Sequence, residues 1–245
     1  MDPRGKVALI TGAARVGSVV AEALAGRGAR VALTYRRSRR AAEETVARIA
    51  AAGGEARAFQ GDLAAPVDAA RMIEATIHAL GGLQILVNMA SMYQARKFET
   101  LEAEAFDAHL AADARSGFLT AMAAAPHMRR AGGGRIINFA DWLAASGRPR
   151  YREFLPYYTA KRAVLGLTEA LALELAPEIL VNTIAPGPIL PPAEMTPEEI
   201  RQVERATPLG RWGGPEEIAK AVLFLVETDF ITGECIRVDG GRHLR

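Results

Sequence analysis

Tyr157 and Lys161 stand four positions apart in Tyr157-Tyr158-Thr159-Ala160-Lys161. On a helix that spacing puts a phenol and an ammonium one turn apart on the same face. The run that follows, residues 163–176, is rich in Ala and Leu and reads as helix. A phenol titrates near pH ~10 in water and a lysine near ~10.4. A fixed ammonium nearby favours the phenolate and lowers the tyrosine's pKa, so the pair is expected to serve as an acid/base group near neutral pH. Tyr158 is the rival phenol, but it lies three residues from Lys161 and matches no further motif. The same spacing also occurs on ordinary solvated helix faces, so its meaning depends on the elements that position it.

Those elements are drawn from a chain of 245 residues, 50% hydrophobic and 24% charged, with a formal net charge of +2. The length suits a large core, and no Pro/Gly/Ser-rich linker divides it, so a single domain over residues 1–245 is expected. So small a net charge argues against nucleic acid or an anionic membrane as partner. The one cysteine, Cys235, excludes an intramolecular disulfide and suits a reducing, cytoplasmic setting. It reads as a small strand residue rather than a nucleophile. No signal peptide is expected, and no apolar run approaches the ~20 residues that span a bilayer. His78, His109, His127 and His243 show no metal-ligand spacing, so no metal is expected.

Taken in order, residues 7–10 read as a buried strand, Thr11 to Gly17 as a glycine turn, and residues 19–25 as a helix. That is the first unit of a dinucleotide fold. Gly12 and Gly17 would let the backbone approach a pyrophosphate, which the helix N-terminus favours, although a plain turn is the alternative. The second strand, residues 30–35, ends at Tyr35 and runs into Arg36-Arg37-Ser38. An acid there would bind the 2′-hydroxyl of NAD, whereas arginine accommodates the 2′-phosphate of NADP. NADP is therefore the expected cofactor, with a solvated basic start to the next helix as the alternative. Further strands are expected at residues 56–60, 83–87, 135–139, 179–184 and 235–238, with helices at 41–52, 67–80, 101–130 (broken near Ser116-Gly117), 157–176 and 215–226. The alternation implies a seven-stranded parallel sheet covered on both faces, with ligands beyond the carboxyl ends of the strands. Residues 142–156 form either an exposed connector or an overhang on the substrate. Residues 191–210, rich in Pro and Glu, read as a flap with one short helix.

The whole chain resembles the short-chain dehydrogenase/reductase family. The matching stretches come in family order: Thr11-Gly12-Ala13-Ala14-Arg15, Asp62-Leu63, Asn88-Met89-Ala90, Tyr157 through Lys161, Ala185-Pro186-Gly187 and Asp239-Gly240-Gly241. Within the family the chain is most similar to the pteridine reductases and their dihydropteridine-reducing relatives. Tyr35-Arg36-Arg37-Ser38 is similar to their NADPH-phosphate segment. Asp141 stands where most of the wider family has its catalytic serine, and Tyr93 where they carry a pterin-stacking aromatic, with Ser91 close by. The resemblance implies an α/β doubly wound Rossmann domain. It also implies NADPH held by Gly12, Arg15, Val16, Gly17, Tyr35, Arg36, Arg37, Ser38, Asp62, Leu63, Asn88, Ala90, Tyr157, Lys161, Pro186, Gly187 and Ile189, and a homotetramer built on the stretches 101–130 and 157–176. Lys161 would bind the nicotinamide ribose and tune Tyr157.

The departures from the family pattern carry information. The glycine loop is one residue short before Gly17, so Arg15 is expected to take the role of an arginine that pteridine reductases carry there. Asp113 falls where the family offers an asparagine that supports a water linked to the lysine; an aspartate could hold that water, and its charge would act on Lys161. Asp141 changes the chemistry most. A serine hydroxyl donates to a substrate carbonyl, whereas an ionised aspartate only accepts and repels a developing alkoxide. A pterin C=N bond takes hydride at carbon and a proton at nitrogen, and a carboxylic acid relayed through Tyr157 supplies that proton. Burial raises the pKa of Asp141 and Lys161 lowers it. The alternative is that Asp141 only caps a turn.

The expected function is thus NADPH-dependent reduction of a pterin-like C=N bond, with Tyr157, Lys161, Asp141 and Asp113 as the catalytic set and Tyr93, Ser91, Asp141 and Tyr157 facing substrate. Two alternatives stand beside it: a general carbonyl reductase of 3-oxoacyl thioesters, and a catalytically silent NADP-binding protein.

Overall fold

Val7 to Thr11 reads Val-Ala-Leu-Ile-Thr and is buried throughout, the mark of a central strand in a parallel sheet. In the structure, a computed structural model that describes residues 1–245, it forms β1 (Val7–Thr11). The chain continues through α1 (Val16–Gly26), β2 (Arg30–Tyr35), α2 (Arg39–Ala51), β3 (Ala56–Gln60), α3 (Pro66–Leu80) and β4 (Ile85–Asn88). Then come α4 (Ala103–Leu110), α5 (Ser116–Arg130), β5 (Gly134–Phe139), α6 (Trp142–Ser146) and α7 (Leu155–Leu175). Last are β6 (Ile179–Pro186), α8 (Pro197–Ala206), α9 (Pro215–Glu227) and β7 (Cys235–Val238).

All seven strands pair in parallel, in the order β3-β2-β1-β4-β5-β6-β7. This is the doubly wound Rossmann α/β domain. The order reverses between β1 and β4, where Thr11 lies opposite Asn88. A crevice opens beyond the strand ends at such a switch point. Alternate strand residues feed two cores. Ala8 and Ile10 join Val20, Leu33, Ile49 and Val222 on one face, while Val7 and Leu9 join Ile73, Leu86, Met128 and Val181 on the other. No helix is long and apolar enough to cross a membrane.

Three of the expected boundaries move for a local reason. The fourth strand begins at Ile85 rather than Leu83, because the Gln84 side chain accepts from the Val7 N–H at 2.9 Å before the ladder starts. The break in the long helical stretch falls at residues 111–115, a π turn joining α4 to α5, just ahead of Ser116-Gly117. There the Ser116 hydroxyl bonds back to the Ala112 carbonyl at 2.6 Å, a side-chain bond that loosens the regular ladder. Such turns often sit at functional sites, and this one carries Asp113. Finally, residues 142–156 are not a plain loop: they open with α6, and α7 starts at Leu155, ahead of Tyr157, with Pro156 in its first turn. The expected short helix within 191–210 is α8, opened by a capping box between Thr196 and Glu199, with none of its residues buried.

Candidate active site

The end of β5 delivers the chain to Asp141, which caps a helix and at the same time meets the phenol. Its Oδ1 accepts the Leu143 N–H at 2.8 Å and caps α6. Its Oδ2 accepts from the Tyr157 hydroxyl at 2.9 Å. The carboxyl is therefore turned toward the phenol, and the cap fixes it there. One helical turn past Tyr157, Lys161 donates to the Phe139 carbonyl at 2.8 Å. Its Nζ also lies 2.8 Å from Asp113 Oδ1, with the two side chains 4% and 0% exposed. Neither Asp113 oxygen has an aligned hydrogen-bond donor, so this contact is electrostatic.

Two expectations are corrected by that geometry. First, Asp113 reaches Lys161 directly, without an intervening water: the carboxylate sits on the widened π turn, close enough to pair. A small cavity of about 10 Å³, bordered by Asp113, Asn88 and Asn138, lies beside it. Second, the Tyr157 phenol is held well above its ordinary value rather than below it. Burial is the main cause; the charge of Asp141, its hydrogen bond with the phenol, and the charge of Asp113 add to it. Lys161 lies 5.8 Å from the ring centre, and with Asp113 paired to it its charge no longer acts alone on the phenol. Tyr157 is thus held in its protonated form. For Asp141 burial wins: its carboxyl is raised above the usual range, against the Leu143 N–H, the Tyr157 hydroxyl and Lys161, which all lower it.

Tyr157 and Asp141 open into a cleft of about 1190 Å³ beyond the strand ends. Of the residues expected to meet cofactor or substrate, Gly12, Arg15, Val16, Gly17, Ser91, Tyr93, Asp141, Tyr157, Lys161, Pro186, Gly187 and Ile189 line it. The glycine loop fits a dinucleotide's pyrophosphate. A Cβ on Gly17 would overlap the Gly12 carbonyl oxygen, and one on Gly12, at φ 87°, would press on the Ala90 nitrogen at 3.3 Å. With bare glycines there, the first turn of α1 stays open, with no side-chain cap and no acidic residue, as an anion cradle requires. The shortened loop puts Arg15 at φ 52°, a region costly for a side chain. Its guanidinium bonds the Pro191 carbonyl at 3.1 Å across the cleft.

Other expected residues lie apart from the cleft. The Asn88 side chain is committed inward, to Asn138 at 3.0 Å and Thr120 at 2.9 Å. The Ala90 N–H is bonded to Thr11 Oγ1 at 3.0 Å. Beyond β2, Arg36 leans on Asp62 at 3.5 Å. Tyr35, Arg37, Ser38, Asp62 and Leu63 cluster near that strand end, away from the cleft lining. Arg39 and Arg40 are paired with Glu43 and Glu44, whereas Arg37 makes no ion pair. The basic run thus divides into a solvated helix face and a free guanidinium. Cys235 sits half-buried on β7, its thiol pushed up to about 11 by burial, which leaves it poorly nucleophilic.

The sequence missed Phe154. Its ring stacks on Tyr93 with centroids 4.6 Å apart, and Tyr93 meets Tyr157 edge-on at 4.8 Å. The loop before α7 overhangs the cleft, with Tyr151 and Phe154 among its lining residues. The density of arginines and aromatics in residues 148–154 was the available signal.

The family model described as Enoyl-(Acyl carrier protein) reductase matches residues 12–243. The short-chain reductase protein NovJ of Streptomyces niveus is 36% identical, over 96% of this chain and 93% of its own. A 3-oxoacyl-[acyl-carrier-protein] reductase of Synechocystis is 35% identical over 96% of each. The FolM alternative dihydrofolate reductase 1 from Brucella canis, solved in complex with NADP, superposes with a TM-score of 0.91. It is 32% identical, over 100% of this chain and 96% of that one.

Proposed function

The chain belongs to the short-chain dehydrogenase/reductase family, and from that premise we propose that it is an NADPH-dependent reductase of a pterin-like C=N bond, of the pteridine or dihydrofolate type. The observation that carries this reading is the 2.9 Å bond from the Tyr157 hydroxyl to Asp141. A carboxyl replaces the hydroxyl that a carbonyl substrate would want, and burial holds it toward the protonated form. The likeness to FolM agrees with it.

When bound, the nicotinamide supplies hydride. The chain's own residues do the rest. Gly12, Gly17 and the open end of α1 hold the pyrophosphate, Arg37 with Arg36 the 2′-phosphate, and Lys161 the ribose. Tyr93 and Phe154, stacked on each other, form the aromatic wall against which a flat heterocycle lies. Tyr157 gives its proton to the ring nitrogen and is reprotonated from Asp141 across their hydrogen bond. Arg15, bonded to Pro191, steadies the flap of residues 191–210 over the cleft. A homotetramer is part of this reading, since Phe118 and Met122 on α5 and Leu173 on α7 leave apolar surface exposed.

NADPH consumption with dihydrobiopterin, dihydrofolate and an acetoacetyl thioester tests it. Oxidation with either pterin supports the assignment, and oxidation with the thioester alone refutes it. The second reading, a 3-oxoacyl thioester reductase, is favoured by the name of the Synechocystis relative. It expects Asp141→Ser to keep or raise thioester reduction. A silent NADP-binding protein would bind NADPH and oxidise it with none of the three.

A further inference from the structure

The mouth of the cleft is built from two segments, residues 91–101 after β4 and residues 149–155 before α7. They are joined twice: the Arg96 N–H donates to the Glu153 carbonyl at 2.7 Å, and Tyr93 stacks on Phe154. The first segment contributes Arg96 and Lys97 to the lining, the second Arg150 and Arg152. None of these four cations makes an ion pair, although Glu99 and Glu153 share the mouth. Arg96 reaches only the Gln94 side chain and the Ala95 carbonyl, and Arg150 lies over the Trp142 ring at 5.5 Å. Several guanidiniums elsewhere on the surface do find carboxylates, Arg27 with Glu227, Arg48 with Glu22 and Arg71 with Asp68, while the four here do not. Four unmatched cations against two carboxylates leave this rim positive. The dinucleotide's phosphates do not account for it, because the glycine loop and Arg36-Arg37 follow β1 and β2, across the switch point.

From this placement we infer that the Arg96–Lys97 and Arg150–Arg152 rim is a subsite for an anionic tail on the substrate, carboxylate or phosphate, whose reacting end lies toward Tyr93 and Phe154. The inference rests on the reductase reading above and narrows its substrate class to compounds with an anionic tail. Guanidiniums match carboxylates and phosphates in a planar, two-point geometry. A mouth open to water limits each contact to a modest gain, so the effect belongs to specificity rather than to chemistry.

Two matched pairs of compounds test it. Dihydrofolate and dihydrobiopterin share a reducible ring but have an anionic and a neutral tail. Acetoacetyl coenzyme A and acetoacetyl-N-acetylcysteamine do the same for a thioester. KM is measured wherever turnover occurs, and Kd for the NADPH-loaded protein is measured by calorimetry in every case. Within a pair, the anionic member is expected to bind about fivefold to tenfold more tightly. The advantage shrinks at high salt, and the double variant Arg96→Gln/Arg152→Gln narrows it to below about twofold. Equal affinity within both pairs, or an advantage untouched by salt and by the double variant, overturns the subsite. Preference between the pairs reports on the ring assignment separately: if only thioesters react, the pterin reading fails while the comparison within each pair still judges the rim.

Discussion

Two clusters of polar side chains lie at the carboxyl ends of β4, β5 and β6, and they are built on opposite plans. The first is uncharged and closed. Thr120 donates to Asn88, Asn88 to Asn138, Asn138 to Thr168, Thr183 to Thr168, and Thr168 to the Val164 carbonyl, at 2.6–3.0 Å. Each of these side chains has a partner, so burial costs little, and the network locks strands to helices. The second cluster runs from Asp113 through Lys161 and Tyr157 to Asp141. It is charged and incomplete: Asp113 has no aligned donor, the phenol is pushed up, and the Asp141 carboxyl is pushed up. The two share a place in the sheet and differ in satisfaction. A satisfied network specifies the fold, whereas perturbed protonation of this kind is what gathers at functional sites.

The sharpest way to break that comparison is to remove the phenol oxygen. Tyr157→Phe is expected to lower NADPH-dependent reduction by about 10²- to 10⁴-fold while thermal unfolding stays within a few degrees of the parent. Equal loss of activity and stability would place Tyr157 in the structural class instead. Next, Lys161→Met strands the Asp113 carboxylate in the interior and is expected to cost about 3–5 kcal/mol in urea unfolding. Adding Asp113→Asn should restore most of it; failure to do so would mean the pair is not coupled.

Asp141 gives a pH test. In the proposed mechanism the competent form is the protonated acid, so pterin reduction should fall as pH rises through its raised pKa, at higher pH than an ordinary carboxyl would give. Over the same window, from the ordinary carboxylate range up to the raised value, the native state binds more protons than the unfolded one, so stability also falls with pH. Tyr157, held above its usual value, stays protonated through neutrality and adds no descent there. Asp141→Ser should cut pterin reduction by about 10²-fold and flatten the profile; an unchanged profile would remove Asp141 from the proton path. The smallest effect belongs to the closed network. Thr183→Val removes one bond to a Thr168 hydroxyl that keeps two other partners, and should cost about 1 kcal/mol with no change in the pH profile.

The chain's own pattern carried the fold a long way. Buried runs such as Val7 to Thr11 and the glycine-closed helices can only alternate into a parallel sheet, and Tyr157 and Lys161 meet on one helical face by spacing alone. Asp141 beside the phenol was also legible, because the end of β5 must face the start of the helix that follows it. The sign of the phenol's shift was not. It depends on the direct pairing of Asp113 with Lys161 from the π turn, where the sequence allowed an intervening water, and on how much water the fold removes around Tyr157. The arginines before Tyr157 were visible in the sequence, but not the stack between Tyr93 and Phe154 that joins them to a segment some sixty residues away. Periodicity and spacing act along the chain, so sequence determines the elements and their chemistry-bearing residues. Electrostatic balance and loop-to-loop contact act through space, and only the packed structure decides them.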